Sequence, residues 1–225
     1  MCGRFVLISD LKEITTEFDV QEISGNLQRS YNIAPGNTVA AIIDDGSKRL
    51  VHFTWGLIPS WAKNPSIGNR LINARGETVA EKSSFRTAFK KRRCLIVANG
   101  FYEWHKRGKI KTPMYVRLKS DKPFGFAGLY ETWFSPDAQE LRTCTIITTE
   151  ANELLQPIHD RMPVIVPKNR EAVWLDTDMG GTTHVVSILK PYPHNEMVTY
   201  EVSTLVNSPQ HNSPDCITPV SKTSG

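Results

Sequence analysis

The most restrictive feature of this sequence is its series of short apolar and β-branched runs, which are separated by turn residues and not by long helices. The run at 38–43 is followed by Asp44-Asp45-Gly46 and a return run, which predicts a β-hairpin. Asn99-Gly100, between two further runs, predicts a second hairpin. Because the runs do not alternate with helices as βαβ units do, a doubly wound parallel sheet is disfavoured.

Nine or ten such strands with a few short helices predict an α+β fold in a single domain. We expect a curved, mostly antiparallel sheet or an open β-barrel at the core, with helices at the periphery. One helix is expected at 10–19 with Ser9 as its N-cap, and another at 150–155. The domain is expected to span 1–207, and the Ser-, Pro-, Asn- and Thr-rich segment 208–225 is predicted to be a disordered tail.

The composition is that of an ordinary globular domain, with 225 residues of which 40% are hydrophobic and 22% charged. The net charge of +4 allows a nucleic-acid partner without requiring one. No apolar run is long enough to cross a membrane, so no membrane partner is expected. The four cysteines show neither CxxC nor another metal-ligand spacing, and no secretory signal is recognised, which together predict a reducing, cytoplasmic location. Neither a metal nor another cofactor is expected.

The amino terminus, Met1-Cys2-Gly3-Arg4-Phe5, is chemically distinctive. Methionine aminopeptidases remove an initiator Met that precedes a small residue, so Cys2 is expected to become the first residue. Its amine and thiol would then form a 1,2-aminothiol, which closes on an aldehyde through an imine to a thiazolidine. An α-amine titrates at about 7.7–8.0, and we expect the cation Arg4 to lower the pKa of the thiol. Taken alone, Cys2 is better explained as the second residue of an ordinary cytosolic protein, and only the rest of the chain can favour the reactive role.

Two further stretches carry polar groups suited to chemistry. In Asn73-Ala74-Arg75, Asn73 can donate and accept hydrogen bonds, and Arg75 can bind a phosphate through two N–H groups. These residues could instead be a helix cap and a solvated cation. Glu103 stands among aromatic residues on a predicted strand, so its carboxyl should be either paired or raised in pKa, which suits proton transfer. An exposed sheet face remains the alternative.

A proline-bracketed loop contains His159-Asp160-Arg161. Histidine titrates near neutrality, Asp160 could orient it, and Arg161 could bind a phosphate. A salt-bridged loop without function is the alternative. Trp61 lies on a proline-containing loop and could stack on a base or belong to the core. The run Lys90–Arg93 is read as a solvated helix end.

Seven motifs occur in a fixed order over residues 2–207, and together they resemble the SOS response-associated peptidase (SRAP) family, also known as abasic-site processing proteins. The motifs in this sequence are MCGRF (1–5), YNIAPG (31–36), WGLIP (55–59), INARGET (72–78), GFYEW (100–104), IHDRMP (158–163) and VSTLVN (202–207). Each motif is weakly specific by itself, whereas the ordered set is highly specific. The resemblance implies a β-rich α+β domain with a basic groove.

The resemblance also implies an activity: trapping the ring-opened aldehyde of an abasic site in single-stranded DNA as a thiazolidine. Cys2 would be the nucleophile, and Asn73, Glu103 and His159 would line the pocket around it. Strand cleavage by β-elimination from the imine is a possible side reaction. The implied DNA-binding residues are Arg4, Pro35, Trp61, Arg75, Trp104, Thr148 and Arg161. The protein is expected to act as a monomer in the cytoplasm, at the nucleoid when bound to damaged DNA.

Two other functions remain open at this stage. Cys2, His159 and either Asn73 or Glu103 could form a cysteine-type peptidase, which might act only to release Met1. A non-covalent single-strand binder would bind intact and abasic strands alike and would not need Cys2.

Overall fold

A closed barrel of five strands lies at the centre of the molecule. The computed structural model describes residues 2–177 and 182–220. Within those residues the strands are β1 (Phe5–Leu7), β2 (Glu22–Ile23), β3 (Ser30–Ile33), β4 (Thr38–Asp44), β5 (Lys48–Trp55), β6 (Asn73–Arg75), β7 (Arg93–Ala98), β8 (Gly100–Arg107), β9 (Ile110–Leu118), β10 (Phe124–Phe134), β11 (Glu140–Glu150), β12 (Arg161–Pro163) and β13 (Met197–Glu201). The helices are α1 (Leu11–Phe18), α2 (Arg86–Lys91), α3 (Glu171–Leu175) and α4 (Thr183–Val186).

The barrel strands follow the order β11-β10-β7-β4-β5. Parallel pairing of β5 with β11, at Thr54 with Thr143 and Trp55 with Cys144, closes the ring. The expected α+β class with a β-barrel core is therefore confirmed, and the barrel is closed instead of open. All of β7 is buried, because neighbouring strands and helices α2 and α3 cover it. The predicted hairpin after 38–43 is confirmed as β4–β5.

A second sheet, of order β13-β9-β8-β1-β3, packs against the barrel. Phe126 of β10 contacts Phe5 of β1 and Phe101 of β8, both in edge-to-face geometry, at 5.8 Å and 6.0 Å between ring centroids. Such aromatic pairs add to the burial of apolar area. The amino-terminal strand β1 is thereby fixed between the barrel and β8.

The predicted hairpin at Asn99-Gly100 is wrong. β7 pairs with β4 and β10 in the barrel, whereas β8 pairs with β1 and β9 in the second sheet. Asn99 marks this change of sheet: its Oδ1 accepts the N–H groups of Ile8 and Ser9 at 2.8 Å and 2.9 Å. Gly100 is required because an added Cβ would collide with the ring of Tyr115. Close approach of a side chain, and not a tight turn, explains this Asn-Gly pair.

Three further expectations, which concern two helices and Arg93, are corrected by the structure. Asp10, not Ser9, caps α1, and it forms a capping box with Glu13. The expected helix at 150–155 is absent from the described structure: Glu150 ends β11, and the residues after it form turns. Arg93 is buried instead of solvated, and it donates to the carbonyl oxygens of Trp174 and Phe89.

The tail prediction is corrected for residues 208–220. Asn212 Oδ1 accepts the N–H of Tyr31 at 2.6 Å, Cys216 is fully buried, and Val220 donates its N–H to the carbonyl of Glu201. The segment is ordered because it hydrogen-bonds to β3 and β13. The last five residues of the predicted tail, 221–225, lie outside the described residues. None of the helices in the described ranges has the length and apolar character needed to cross a bilayer.

Candidate active site

A pocket of about 330 Å³ opens where β8 meets the turn before β12. Its lining residues are Glu103, Trp104, Lys106, Lys111, His159 and Asn207. Glu103 and His159 come from distant parts of the sequence, and both were predicted to transfer protons. Their shared pocket is the starting point for the chemistry of the site.

Glu103 lies on β8 and is only 3% exposed. Strand alternation directs Phe101 into the main core and Tyr102 into the smaller cluster, as expected from the sequence. Burial raises the pKa of the Glu103 carboxyl from its ordinary value of 4.5 to about 7. This agrees with the expectation that the carboxyl is either paired or raised in pKa. Near neutral pH the group exists in both protonation states, which a proton shuttle requires.

Cys2 is fully buried at the start of the chain, and its thiol donates a weak hydrogen bond to the carbonyl of Arg4 at 4.0 Å. Burial, with a further contribution from the charge of nearby Glu103, raises the pKa of the thiol well above its ordinary range. The expectation of a lowered thiol pKa is wrong, because burial outweighs the lowering contribution of the hydrogen bond with the Arg4 backbone. The guanidinium of Arg4 instead donates to Asn32 Oδ1 and to the carbonyl of Val206, each at 2.7 Å.

Asn73 opens β6, which runs parallel to β11. Its Nδ2 donates to the carbonyl of Ile72 at 3.0 Å, whereas its buried Oδ1 accepts no hydrogen bond from the described residues. Trp55 Nε1 also donates to Ile72, and the Trp55 ring packs 5.2 Å from that of Phe5. These contacts join β6 to the strand that follows Cys2. A buried acceptor without a donor is costly, so the Oδ1 atom is suited to a ligand or an amine.

His159 lies in the turn that leads into β12. Burial lowers the pKa of its imidazole, which favours the neutral ring at pH 7. Its Nδ1 accepts the N–H of Arg161 at 2.9 Å. The same Nδ1 lies 2.8 Å from Asp160 Oδ1, which would stabilise the ring when it becomes protonated. The predicted orienting contact of Asp160 is therefore present.

Two predicted phosphate-binding arginines are engaged in internal contacts. Arg161 is 14% exposed and pairs with Glu77 through both guanidinium nitrogens, at 2.6 Å and 3.0 Å. It also donates to the carbonyl of Thr148 at 2.7 Å, and Thr148 itself is buried. Arg4 is bound to Asn32 as described above. These residues stabilise the walls of the site, and a phosphate would have to displace Glu77 to bind Arg161 in the same geometry.

The remaining predicted DNA contacts differ in exposure. Pro35, Trp61 and Arg75 are exposed, and Trp61 is 58% exposed, which leaves its ring accessible for stacking. Trp104 is half-buried beside the pocket, and its Nε1 donates to Asn207 Oδ1 at 2.7 Å. DNA binding by these residues stays a prediction.

Sequence reasoning missed several residues at this site. Lys106 and Lys111 line the pocket, but sequence reasoning assigned no role to their basic stretch, and only their pairing across β8 and β9 brings them together. Asn207 ends the last motif but was assigned no role. Among the described residues, no three His, Cys, Asp or Glu side chains are grouped as metal ligands would be.

The fold and the site define a class of protein: an α+β domain with a closed barrel, in which a cysteine next to the amino terminus is buried near a pocket containing a carboxyl group and an imidazole. A family model described as "SOS response associated peptidase (SRAP)" matches residues 1–209. The chain belongs to this family, as its motifs indicated.

Two curated relatives and one solved structure illustrate the similarity. The abasic site processing protein YoqW of Bacillus subtilis is 48% identical over 221 residues, which cover 96% of this chain and 99% of that protein. The abasic site processing protein HMCES of Xenopus tropicalis is 32% identical over 228 residues, which cover 86% of this chain and 67% of that protein. A crystal structure of a Bacteroides thetaiotaomicron protein matches with a TM-score of 0.89 at 28% identity, covering 97% of this chain and all of that one.

Proposed function

We propose that this protein processes abasic sites in DNA by forming a covalent bond between Cys2 and the lesion. The substrate is single-stranded DNA, and the reaction requires prior removal of Met1. The names of the relatives, abasic site processing proteins, support an abasic site as the lesion. The observation that carries the proposal is the placement of buried Cys2 close to Glu103, whose pKa of about 7 suits proton transfer in the pocket shared with His159.

The first step opens the sugar. An abasic deoxyribose is mostly a closed hemiacetal, so a proton must reach the ring oxygen while another leaves the 1-hydroxyl group. Glu103 and His159 divide these two transfers, since one pocket holds both and each has an uncharged form available near neutral pH. The product is the free aldehyde at C1.

The high pKa of the Cys2 thiol sets the order of the following steps. The amine attacks C1 first, because the thiol is protonated at neutral pH and an α-amine is partly neutral. The resulting carbinolamine accepts a proton from Glu103 on its hydroxyl group and loses water to give the protonated imine. The thiol sulfur then bonds to the imine carbon, its proton returns to Glu103, and the thiazolidine closes. The net reaction releases one water molecule and consumes no cofactor.

Asn73 provides the acceptor for the attacking amine in this scheme. Its buried Oδ1 accepts no hydrogen bond from the described residues, and an amine N–H would satisfy it. Holding amine, thiol and aldehyde together supplies an effective concentration that a free aminothiol lacks. Closure of the ring removes the imine that would otherwise acidify the C2 protons, so β-elimination is a minor side reaction.

A peptidase reaction is less well supported by the same geometry. Cysteine peptidases attack as thiolates, and burial strongly disfavours the thiolate of Cys2. We therefore assign no peptidase function beyond the release of Met1.

A denaturing gel tests the proposal. The mature protein is incubated with a single-stranded oligonucleotide that carries one abasic site, and a slowly migrating band is expected. Cys2→Ala should abolish the band, whereas Cys216→Ala, which removes another buried thiol, should retain it. A protein extended at its amino terminus should form none, because its Cys2 amine is blocked. A band that survives Cys2→Ala, or its absence with wild-type protein, would refute the proposal.

The same assay tests the proton-transfer residues. Glu103→Gln and His159→Ala should each slow band formation by about 10²-fold or more, as is usual for loss of a general acid or base. Wild-type rates in both variants would contradict the assigned roles while leaving Cys2 as the nucleophile.

A further inference from the structure

The hairpin that joins β8 and β9 has an unusual concentration of positive charge. Its tip, residues 106–111, reads Lys-Arg-Gly-Lys-Ile-Lys and contains four cations and no acid. All six residues are exposed, and Gly108 has φ +60°, which permits the tight reversal. Within the described chain, none of the four cations forms a salt bridge. We name residues 106–111 the basic hairpin.

The charges of the basic hairpin work against its own stability. Lys106 lies directly opposite Lys111 in the antiparallel register. Like charges in this position repel and destabilise the strand pair. The β4–β5 hairpin of the same protein shows the opposite arrangement, with Asp44 directly opposite Lys48. The lysine pair is therefore not explained by the folding of the hairpin itself.

The basic hairpin lies at the mouth of the active-site pocket. Lys106 and Lys111 both line that pocket together with Glu103 and His159. The charge of Lys106 also contributes, after burial, to the lowered pKa of His159. The tip of the basic hairpin carries Ile110, whose side chain is 68% exposed. An apolar side chain surrounded by cations is typical of surfaces that contact both the phosphates and the bases of a nucleic acid.

We propose that the basic hairpin is a second DNA-binding element, which binds the strand flanking the abasic nucleotide. The ammonium groups of Lys106 and Lys111 contact phosphates next to the lesion, and Ile110 packs against the face of an unpaired base. This inference rests on the proposed function, since it takes the ligand of the pocket to be DNA. It adds a binding surface on the side of the pocket formed by β8 and β9.

The test measures equilibrium binding of an undamaged single-stranded oligonucleotide over a series of salt concentrations. Lys106→Glu with Lys111→Glu should raise Kd at least about tenfold at low salt, and the slope of log K against log salt should decrease by about 1.4, because each phosphate contact on a single strand contributes about 0.7. The matched control is Lys12→Glu with Lys90→Glu, which makes the same charge change at two exposed lysines on other elements. It should change Kd less than about twofold.

Two results would overturn the inference. The first is wild-type Kd in the hairpin variant, and the second is an equal loss in the control, which would assign the effect to net charge alone. Circular dichroism establishes that each variant is folded. Ile110→Ser should weaken binding of the single strand about threefold and leave a blunt duplex unaffected, since only the single strand offers unpaired base faces. Unchanged binding in Ile110→Ser would contradict the base contact.

The experiment separates this inference from the proposed function. If wild-type protein binds DNA through the hairpin but never crosslinks to an abasic site, the hairpin assignment stands and the crosslinking proposal fails. If wild-type protein crosslinks and the hairpin variant binds like wild type, the crosslinking proposal stands and the hairpin assignment fails.

Discussion

Glu103 shows how burial by itself can prepare a residue for catalysis. The carboxyl group loses hydration on β8, and its pKa rises to about 7 as a result. The sequence placed Glu103 among aromatic residues and predicted that its carboxyl is either paired or raised in pKa. The position of His159 across the same pocket was implied only by the family resemblance, because the residues themselves do not reveal the pairing between β11 and β12 that sets it.

The raised pKa of Glu103 has a consequence for stability. Between its ordinary value of 4.5 and about 7, the folded state binds more protons than the unfolded state. The contribution of this group to the free energy of unfolding is therefore full below about pH 4.5 and is lost as the pH rises through 7. The glutamine in Glu103→Gln does not titrate. The free energy of unfolding of this variant, relative to that of wild type, should therefore increase by about 1–3 kcal/mol between pH 4.5 and pH 8. Urea denaturation at the two pH values measures this, and a difference that does not depend on pH would contradict the assigned pKa.

At the scale of elements, the change of sheet at Asn99 is what brings Glu103 to the site. The strand β7 ends in the barrel, and β8 begins in the second sheet next to β1 and hence next to Cys2. The Asn99 side chain holds this junction through two backbone N–H groups of Ile8 and Ser9 and through Ser9 Oγ, to which its Nδ2 donates at 2.9 Å.

Replacing Asn99 with Ala should destabilise the protein by about 2–4 kcal/mol, because buried backbone donors lose their acceptor. Asn37→Ala is the matched control: the Oδ1 of Asn37 accepts a single N–H, that of Ala34, in an exposed turn, and the expected loss is about 1 kcal/mol or less. Urea denaturation of both variants makes the comparison. Equal losses would show that the junction has no special role.

Element types were largely readable from the sequence, whereas their partners were not. The β4–β5 hairpin was predicted because its turn chemistry and strand patterns agree locally. The hairpin prediction at Asn99-Gly100 failed because this dipeptide is typical of a hairpin turn, whereas here a glycine is needed for the close approach of the Tyr115 ring. The side chain of Arg93 was misjudged for a related reason: its carbonyl partners, Trp174 and Asp176, lie some 80 residues away in the sequence.

At the scale of the whole molecule, the carboxy-terminal segment packs against the second sheet, where it hydrogen-bonds to β3. Buried Asn32 donates to the carbonyls of Ser208 and His211 at 2.9 Å and 2.7 Å, while its Oδ1 accepts from Arg4. Composition alone predicted disorder here, because no apolar pattern marks the segment. The contacts depend on backbone carbonyl groups, which composition does not reveal.

Deletion of residues 208–225 should therefore lower stability and loosen the pocket wall. Buried Asn32 would lose two acceptors, and the expected cost is about 2–4 kcal/mol. Deletion of 221–225 alone is the control and should change the midpoint of urea denaturation little. If the longer deletion leaves the midpoint unchanged, the segment is dispensable for the fold.

The central claim is that a freed Cys2 joins the lesion through nitrogen and sulfur together. Intact mass spectrometry of the adduct, before and after borohydride treatment, tests it most directly. We predict a mass equal to the protein lacking Met1 plus the oligonucleotide minus one water, unchanged by borohydride because a thiazolidine has no imine to reduce. An adduct that retains Met1, or one that gains two hydrogens on reduction, would contradict the claim.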